Sequence, residues 1–110
     1  MKKINIKSIK TTLAHGEIKR KALVRVGDLK SKVQTVNYAW LEPNESFSPH
    51  KHDDCEDLYF FIEGKGEMKI NDKIFEVKKN DFVVVELGEW HSLKNTSLKK
   101  LVFLTVRILI

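Results

Sequence analysis

Residues 50–64, HKHDDCEDLYFFIEG, are the stretch of this 110-residue chain that says most about its fold. They begin with the pair His50-x-His52, pass through a cluster of acidic residues and continue into the apolar segment 58–62. Residues i and i+2 of a β-strand project to the same face, so the two imidazoles can bind one cation. We therefore expect a metal site carried on strands, with His91 arriving as a third imidazole from a distant strand.

The remaining sequence predicts an all-β protein, because short alternating runs between turn residues dominate and helical periodicity is nearly absent. The dipeptide Asn71-Asp72 predicts a two-residue hairpin turn that sets Met68 opposite Phe75 and Gly66 opposite Val77. This hairpin should contribute to the core. The predicted strands are Ile4–Lys7, Arg20–Val26, Val33–Leu41, Phe47–Lys51, Leu58–Ile62, Gly66–Ile70, Lys73–Val77, Phe82–Glu86, Trp90–Lys94 and Leu101–Ile108.

Size and composition indicate one globular domain, since 42% of the 110 residues are hydrophobic. The single cysteine, Cys55, excludes an internal disulfide and suits a reducing compartment. Polar residues and lysines interrupt the sequence after Met1-Lys2-Lys3, so we expect neither a signal peptide nor a membrane span. These features predict a cytoplasmic protein with no membrane partner.

The net charge of +5 is unevenly distributed along the chain. Residues 1–40 carry ten basic and two acidic groups, whereas residues 41–91 carry six basic and thirteen acidic groups, a balance of −7. Acidic surroundings attract cations and repel phosphate. No arginine-rich stripe or exposed aromatic platform appears, so we expect no nucleic-acid partner.

A longer pattern surrounds the histidines. Its first half runs Asn44, five residues, His50-x-His52, four residues, Asp57, six residues and Gly64. Its second half runs Asn80, five residues, Glu86-Leu87-Gly88, two residues, His91, three residues and Asn95. Two such motifs in this order, joined by one short hairpin, resemble the two motifs of the cupin superfamily over roughly residues 33–108.

The resemblance implies a small antiparallel jelly-roll β-barrel formed by a single domain, residues 1–110. The motif-bearing core would span about 33–108, and an N-terminal strand and arm would span 1–32. The resemblance also implies a divalent metal in the barrel mouth, bound by His50, His52, Asp57 and His91, with open positions for water or substrate. Imidazoles with one carboxylate suit Fe, Mn, Zn, Ni or Cu better than Ca or Mg.

The fourth ligand is the open question within this pattern. The family usually has glutamate where this chain has Asp57, which is one methylene shorter. Glu56 directly precedes it but would need a local bulge to reach the same face. The alternatives are therefore Asp57, Glu56 or a site of three histidines alone. Asn44 and Asn80 replace glycines of the family and suit the same left-handed turns.

The sequence also predicts roles for several residues near the motifs. Tyr59 and Phe61 share strand parity with Asp57, so both are candidates to line the cavity, and Tyr59 is the candidate catalytic acid or base. Cys55 and His15 are expected on the surface. Asn95 is expected to be structural, and Glu63 is expected at the end of the barrel. Trp90 is expected to form a wall of the entrance unless the pleat turns it away.

Three functions remain open: a metal-dependent enzyme of oxygenase, isomerase or decarboxylase type acting on a small organic or sugar-like substrate, a small-molecule or metal-binding module without turnover, and a scaffold with a vestigial site. Similar small cupins are often described as mannose-6-phosphate-isomerase-like. A phosphosugar site would need arginines, and Arg20, Arg25 and Arg107 lie outside both motifs.

The chain end suggests a partner. The last ten residues are apolar on nearly both faces, with Val102, Leu104, Val106, Ile108 and Ile110 sharing one face. Burial in the core and a subunit interface both explain this pattern. Small cupins commonly pair through edge strands, so we expect a homodimer that uses the basic N-terminal and apolar C-terminal strands.

Overall fold

The computed structural model describes all residues of the chain, 1–110, and folds them into ten strands and one 3₁₀ turn. The turn spans Ile6–Ser8. The strands are β1 Thr11–Ala14, β2 Ile18–Val24, β3 Val33–Leu41, β4 Ser46–His50, β5 Cys55–Glu63, β6 Lys65–Ile70, β7 Lys73–Lys78, β8 Phe82–Val85, β9 His91–Asn95 and β10 Leu101–Leu109. No helix is long and apolar enough to cross a membrane.

The strands form two antiparallel sheets that close into a jelly-roll barrel. The large sheet has the order β1-β2-β3-β10-β5-β8, and the small sheet has the order β4-β9-β6-β7. Alternate residues of each strand face the space between the sheets, which is where the core forms. Its fully buried members include Phe61, Phe103, Leu41, Met68, Leu93 and Leu101. The predicted fold class is confirmed.

The hairpin β6–β7 has the predicted register. Met68 lies opposite Phe75, and Gly66 lies opposite Val77. Asn44 and Asn80 have φ angles of 67° and 76°, so both asparagines occupy the left-handed turn positions expected of them. These turns set the strand offsets within each motif.

The beginning of the chain differs from the prediction. The strand expected at Ile4–Lys7 is wrong: the Asn5 side chain accepts a hydrogen bond from the Lys7 amide and the chain forms a 3₁₀ turn instead. The first strand is Thr11–Ala14, which pairs with β2 across the turn His15-Gly16. Only one large apolar residue lies in this four-residue strand, so its alternating pattern is too short to recognise.

The last strand also corrects an expectation. Strand β10 pairs with β3 on one side and β5 on the other, so it is central and offers no free edge to a partner. Phe103, Thr105 and Arg107 line the interior cavity, whereas Leu104 and Val106 alternate with them and are half-buried on the outer face. The outer side chains of β10 therefore lie outside the core.

Candidate metal centre

Strand pairing brings the three motif histidines together. His50 ends β4 and lies directly opposite His91, the first residue of β9, with ring centroids 4.2 Å apart. The His52 ring follows, 5.1 Å from His50 and 5.6 Å from His91. One nitrogen from each of the three rings lies within 4.8 Å of the other two. Strands β4 and β9 of the small sheet and the segment that follows β4 thus supply all three imidazoles.

Asp57 reaches this cluster from the large sheet. Its Oδ2 lies 3.3 Å from His52 Nε2 and 3.5 Å from His91 Nε2. Two ligand atoms each about 2.1 Å from a metal stand about 3.0 Å apart at a right angle and about 3.4 Å apart at a tetrahedral angle. The observed separations fit one ion shared by Asp57, His52 and His91. Asp57 also forms a second group of possible ligands with His52 and Cys55, whose ligand atoms lie within 4.8 Å of one another. Glu56 follows the opposite strand parity and does not belong to the cluster.

Hydrogen bonds to the backbone orient two of the imidazoles. The Ser48 carbonyl lies 3.1 Å from His50 Nδ1, and the Glu89 carbonyl lies 3.0 Å from His91 Nδ1. A carbonyl can only accept, so both Nδ1 atoms carry the proton and both Nε2 atoms keep a lone pair. This arrangement is the usual second shell of metal-binding histidines.

His91 Nε2 is buried and has no hydrogen-bond partner. Its lone pair faces the Asp57 carboxylate at 3.5 Å, so two acceptors meet in the interior of the protein. Such a pair is unfavourable unless a cation lies near both atoms. The donor set therefore fits a bound divalent metal.

The ionisation states favour metal binding as well. Burial lowers the pKa of His50 to about 4, so this imidazole is neutral at physiological pH. Burial and the neighbouring Arg107 also lower the pKa of His52. Burial opposes ionisation of Asp57, but the positive charge of the neighbouring Arg107 favours it, and the pKa of this carboxyl lies below its usual value. Neutral imidazoles and an ionised carboxylate are the forms that bind metals.

Arg107 is a site residue that the sequence motifs did not identify. It lies opposite Asp57 in the β10–β5 register, and its Nε is 3.3 Å from Asp57 Oδ1. Its Nη2 lies 3.0 Å from His52 Nε2. The sequence did contain one indication, since Arg107 is the only charged residue in the apolar stretch 101–110.

A cavity of about 320 Å³ adjoins the cluster. His50, Asp57 and Tyr59 form part of its wall, and Arg20 and Arg107 bring two positive charges to it. These two arginines lie outside both motifs in the sequence, yet the fold brings them to the site. The remaining lining residues are Ala14, His15, Ile18, Thr35, Asn37, Ala39, Phe103 and Thr105.

His15 is exposed as predicted, but it is not remote from the other histidines. Its ring lies 5.0 Å from that of His50, and it also lines the cavity. Its φ angle of 53° is left-handed, which is uncommon for histidine. Glu17 accepts hydrogen bonds from the amide and hydroxyl of Ser48, which tie the β1–β2 turn to β4.

The other sequence predictions have mixed outcomes. Tyr59 is buried in the cavity wall, and burial raises the pKa of its hydroxyl. Phe61 is wholly buried core, outside the cavity lining. Cys55 was expected on the surface and is instead buried, which raises the pKa of its thiol to about 11. Trp90 is half exposed under Lys51 and does not line the cavity.

Two structural expectations are confirmed. The Asn95 side chain is buried and donates to the carbonyls of Leu41 and Lys99 at 2.9 and 2.7 Å. Its Oδ1 accepts from the Ser97 amide, so the residue holds the turn after β9. Glu63 is exposed at the end of β5.

Comparison with known proteins now decides the family. A family model described as a cupin domain matches residues 38–107, more than half of the chain. The chain belongs to the cupin family. The match contains every histidine and carboxylate of the proposed ligand set.

A curated protein and a solved structure, both from Thermotoga maritima, resemble this cupin over most of its length. An oxalate-binding protein is 30% identical over 95 residues, covering 86% of this chain and 78% of the relative. The crystal structure of a predicted oxalate decarboxylase superimposes with a TM-score of 0.92 at 26% identity, covering 99% of this chain and 100% of that one. A polyketide cyclase of Streptomyces resistomycificus has a TM-score of 0.85 at 21% identity over 98% and 79% of the chains, which shows the shared fold alone.

Proposed function

We propose that this cupin binds a divalent transition metal, Fe, Mn, Zn, Ni or Cu, through His50, His52, His91 and Asp57. The observation that carries the proposal is the position of Asp57 Oδ2, 3.3 and 3.5 Å from two imidazole nitrogens, one of which is buried without a partner. Imidazole and carboxylate donors at these separations suit first-row transition metals.

We further propose a small carboxylate, such as oxalate, as the ligand of the metal-loaded site. Arg20 and Arg107 line a cavity of about 320 Å³, a volume at the small end for ligand sites. Guanidinium groups bind carboxylates through charged, paired hydrogen bonds. The names of the Thermotoga protein and structure support oxalate as the first compound to test.

For the reaction, we favour a metal-dependent enzyme of decarboxylase type within the broader class of oxygenases, isomerases and decarboxylases. A bound metal would supply Lewis acidity toward carboxylate oxygens. Arg20 and Arg107 would orient the anion, and apolar Phe103, Ala39 and Ile18 would limit water around it. Tyr59 remains the candidate catalytic residue, but burial raises the pKa of its hydroxyl, so we expect it to donate a hydrogen bond to the ligand rather than transfer its proton.

Binding without turnover is the second candidate. Among the cavity-lining residues Asp57 is the only carboxylate, and it already accepts a hydrogen bond from Arg107. A general base must be free to take a proton, so this wall offers few choices. The relative named as an oxalate-binding protein agrees with this alternative.

Elemental analysis and calorimetry test the proposal in sequence. The purified protein should contain or take up about one metal equivalent, and His52→Ala should lose it. The metal-loaded protein should then bind oxalate, and Arg20→Gln should weaken that binding. Formate and carbon dioxide released from oxalate would establish the decarboxylase, whereas binding without product would establish the second candidate. Less than a tenth of an equivalent of metal, unchanged by His52→Ala, would leave a scaffold with a vestigial site.

We also propose a homodimer, formed through the outer face of the large sheet. Across four neighbouring strands, two rows of apolar side chains lie in register: Tyr38, Leu104, Phe60 and Phe82 in one, and Val36, Val106, Leu58 and Val84 in the other. The strands are spaced about 4.8 Å apart, and the longest, of nine residues, are about 30 Å long, so the face presents at most roughly 700 Å². A standard interface buries about 800 Å² per partner, so a dimer would use nearly the whole face.

A reducing compartment, the cytoplasm, remains our proposal for where the protein works. Cys55 is free and buried, and its thiol stays protonated because burial raises the pKa to about 11. A protonated, buried thiol reacts slowly with oxidants or disulfides. Cys55 Sγ nevertheless lies within 4.8 Å of ligand atoms of His52 and Asp57, so it remains a further candidate ligand.

A further inference from the structure

Arg107 contacts two of the four proposed metal ligands at once. Its Nε lies 3.3 Å from Asp57 Oδ1, and its Nη2 lies 3.0 Å from His52 Nε2. The contact with Asp57 follows from the sheet register, which sets Arg107 directly opposite it, and His52 approaches from the segment between β4 and β5. The guanidinium therefore lies against the metal cluster, on the side of the large sheet.

The contact with His52 uses an atom that the metal also needs. Arginine has only donors, so Nη2 donates and His52 Nε2 accepts through its lone pair. An unprotonated imidazole nitrogen has one lone pair, which lies in the ring plane and points in one direction. A hydrogen bond from Arg107 and a bond to a metal cannot both occupy it. Arginine keeps its charge at any physiological pH, so it can release His52 only by moving.

The structure provides a place for the displaced group. About a third of the Arg107 side chain is exposed, and it lines the cavity together with Arg20 and Thr105. Rotation of the guanidinium away from His52 leaves the Asp57 carboxylate beside it and turns its free N–H groups toward the cavity. There it can donate to a carboxylate.

We propose that Arg107 competes with the metal for His52 Nε2, and that metal binding turns its guanidinium into the cavity to hold the carboxylate ligand. This inference rests on the proposed function, since it concerns the same metal and the same ligand class. Its consequence is coupling: the metal frees the group that binds the anion, and the anion holds that group away from His52. Each ligand then raises the affinity for the other.

Zinc affinity of three proteins tests the competition. The wild type, Arg107→Gln and Arg20→Gln are titrated with Zn²⁺ in competition with a chelator of known affinity. Arg107→Gln should bind Zn²⁺ about tenfold more tightly, because it loses both the charged hydrogen bond to His52 and the nearby repulsion. Arg20→Gln is the matched control: Arg20 also lines the cavity but contacts neither ligand, so its effect should stay within about twofold. Equal or weaker binding by Arg107→Gln overturns the inference.

Nuclear magnetic resonance of the wild type provides a second measurement in case Arg107→Gln folds poorly. The chain has three arginines, Arg20, Arg25 and Arg107, so their Nε–H signals are few. Stoichiometric Zn²⁺ should shift the Arg107 signal and leave that of Arg25 in place, and oxalate added afterwards should shift Arg107 again. An Arg107 signal unchanged by bound Zn²⁺ overturns the inference while leaving the metal site intact. Failure of the wild type to bind Zn²⁺, Mn²⁺ or Fe²⁺ overturns the proposed function itself.

Discussion

His50 and His91 lie directly opposite each other on β4 and β9, with their ring centroids 4.2 Å apart. This pairing joins the two cupin motifs, which are distant in sequence, at one end of the small sheet. Backbone carbonyls hold the Nδ1 proton of each ring, so each Nε2 keeps its lone pair. The His91 lone pair lies beside the Asp57 carboxylate, 3.5 Å from Oδ2, and this arrangement costs free energy that a bound cation would offset.

The first prediction concerns the carboxylate. Asp57→Asn keeps the shape of the side chain but removes its charge, so the affinity for Zn²⁺ or Mn²⁺ should fall by about a hundredfold, more than loss of an outer-shell partner usually costs. Asp53→Asn is the matched control, because Asp53 belongs to the same acidic cluster but its side chain is 77% exposed. Chelator competition measures both. Unchanged affinity in Asp57→Asn would leave a site of three histidines.

The second prediction concerns pH. The pKa of His50 is about 4 in the folded protein and about 6.5 in an exposed chain. As the pH falls through this range, His50 becomes protonated in the unfolded chain but stays neutral in the folded protein. The free energy of unfolding should therefore fall from about pH 6.5 toward pH 4, and should be steady above that range.

Urea unfolding in the presence of a chelator measures this effect. His50→Gln removes the titrating group, so its stability should decline less steeply than that of the wild type over the same pH range. His52 contributes in the same direction, since its pKa is also lowered. Parallel pH profiles for the wild type and His50→Gln would show that His50 is protonated as readily in the folded protein as in the unfolded chain.

Much of the fold was predictable because its signals are local. Alternation and turn residues identified nine of the ten strands, and the Asn71-Asp72 turn fixed the register of the β6–β7 hairpin. The β1 strand, Thr11–Ala14, was not predicted, because four mostly polar residues carry no clear alternation. It forms because the His15-Gly16 turn returns the chain to pair with β2.

The candidate site was predictable only as far as the motifs extend. His50, His52, His91 and Asp57 could be named from their spacing, whereas Arg107 and Arg20 could not. The arginines reach the cavity through the order β2-β3-β10-β5, which no local pattern specifies. Only the register that sets Arg107 opposite Asp57 places a cation against the ligands.

The third prediction concerns strain at His15. The β1–β2 turn requires positive φ at both central residues, and His15 adopts 53° where asparagine would be favoured. His15→Asn should raise the free energy of unfolding by about 0.5–1 kcal/mol, because asparagine tolerates this conformation better. It should also weaken oxalate binding to the metal-loaded protein, because the ring that lines the cavity is lost. Lower stability in His15→Asn would mean that contacts of the imidazole outweigh the strain.

The fourth prediction concerns the dimer. Phe60 is 40% exposed at the centre of the apolar outer face of the large sheet, between Leu104 on β10 and Phe82 on β8. Phe60→Lys would place a charge in an interface between two copies, so the protein should become monomeric at micromolar concentration. Because this side chain is already partly exposed, the fold itself should tolerate the change. Sedimentation equilibrium measures the association constant.

Ile74→Lys is the matched control for that experiment. Ile74 is 58% exposed on the outer face of the small sheet, so it is at least as accessible as Phe60 but lies on the opposite side of the barrel. The same substitution there should leave the dimer unchanged. A wild type that sediments only as a monomer would refute the dimer, and equal dissociation by both variants would show that the interface is not confined to the large sheet.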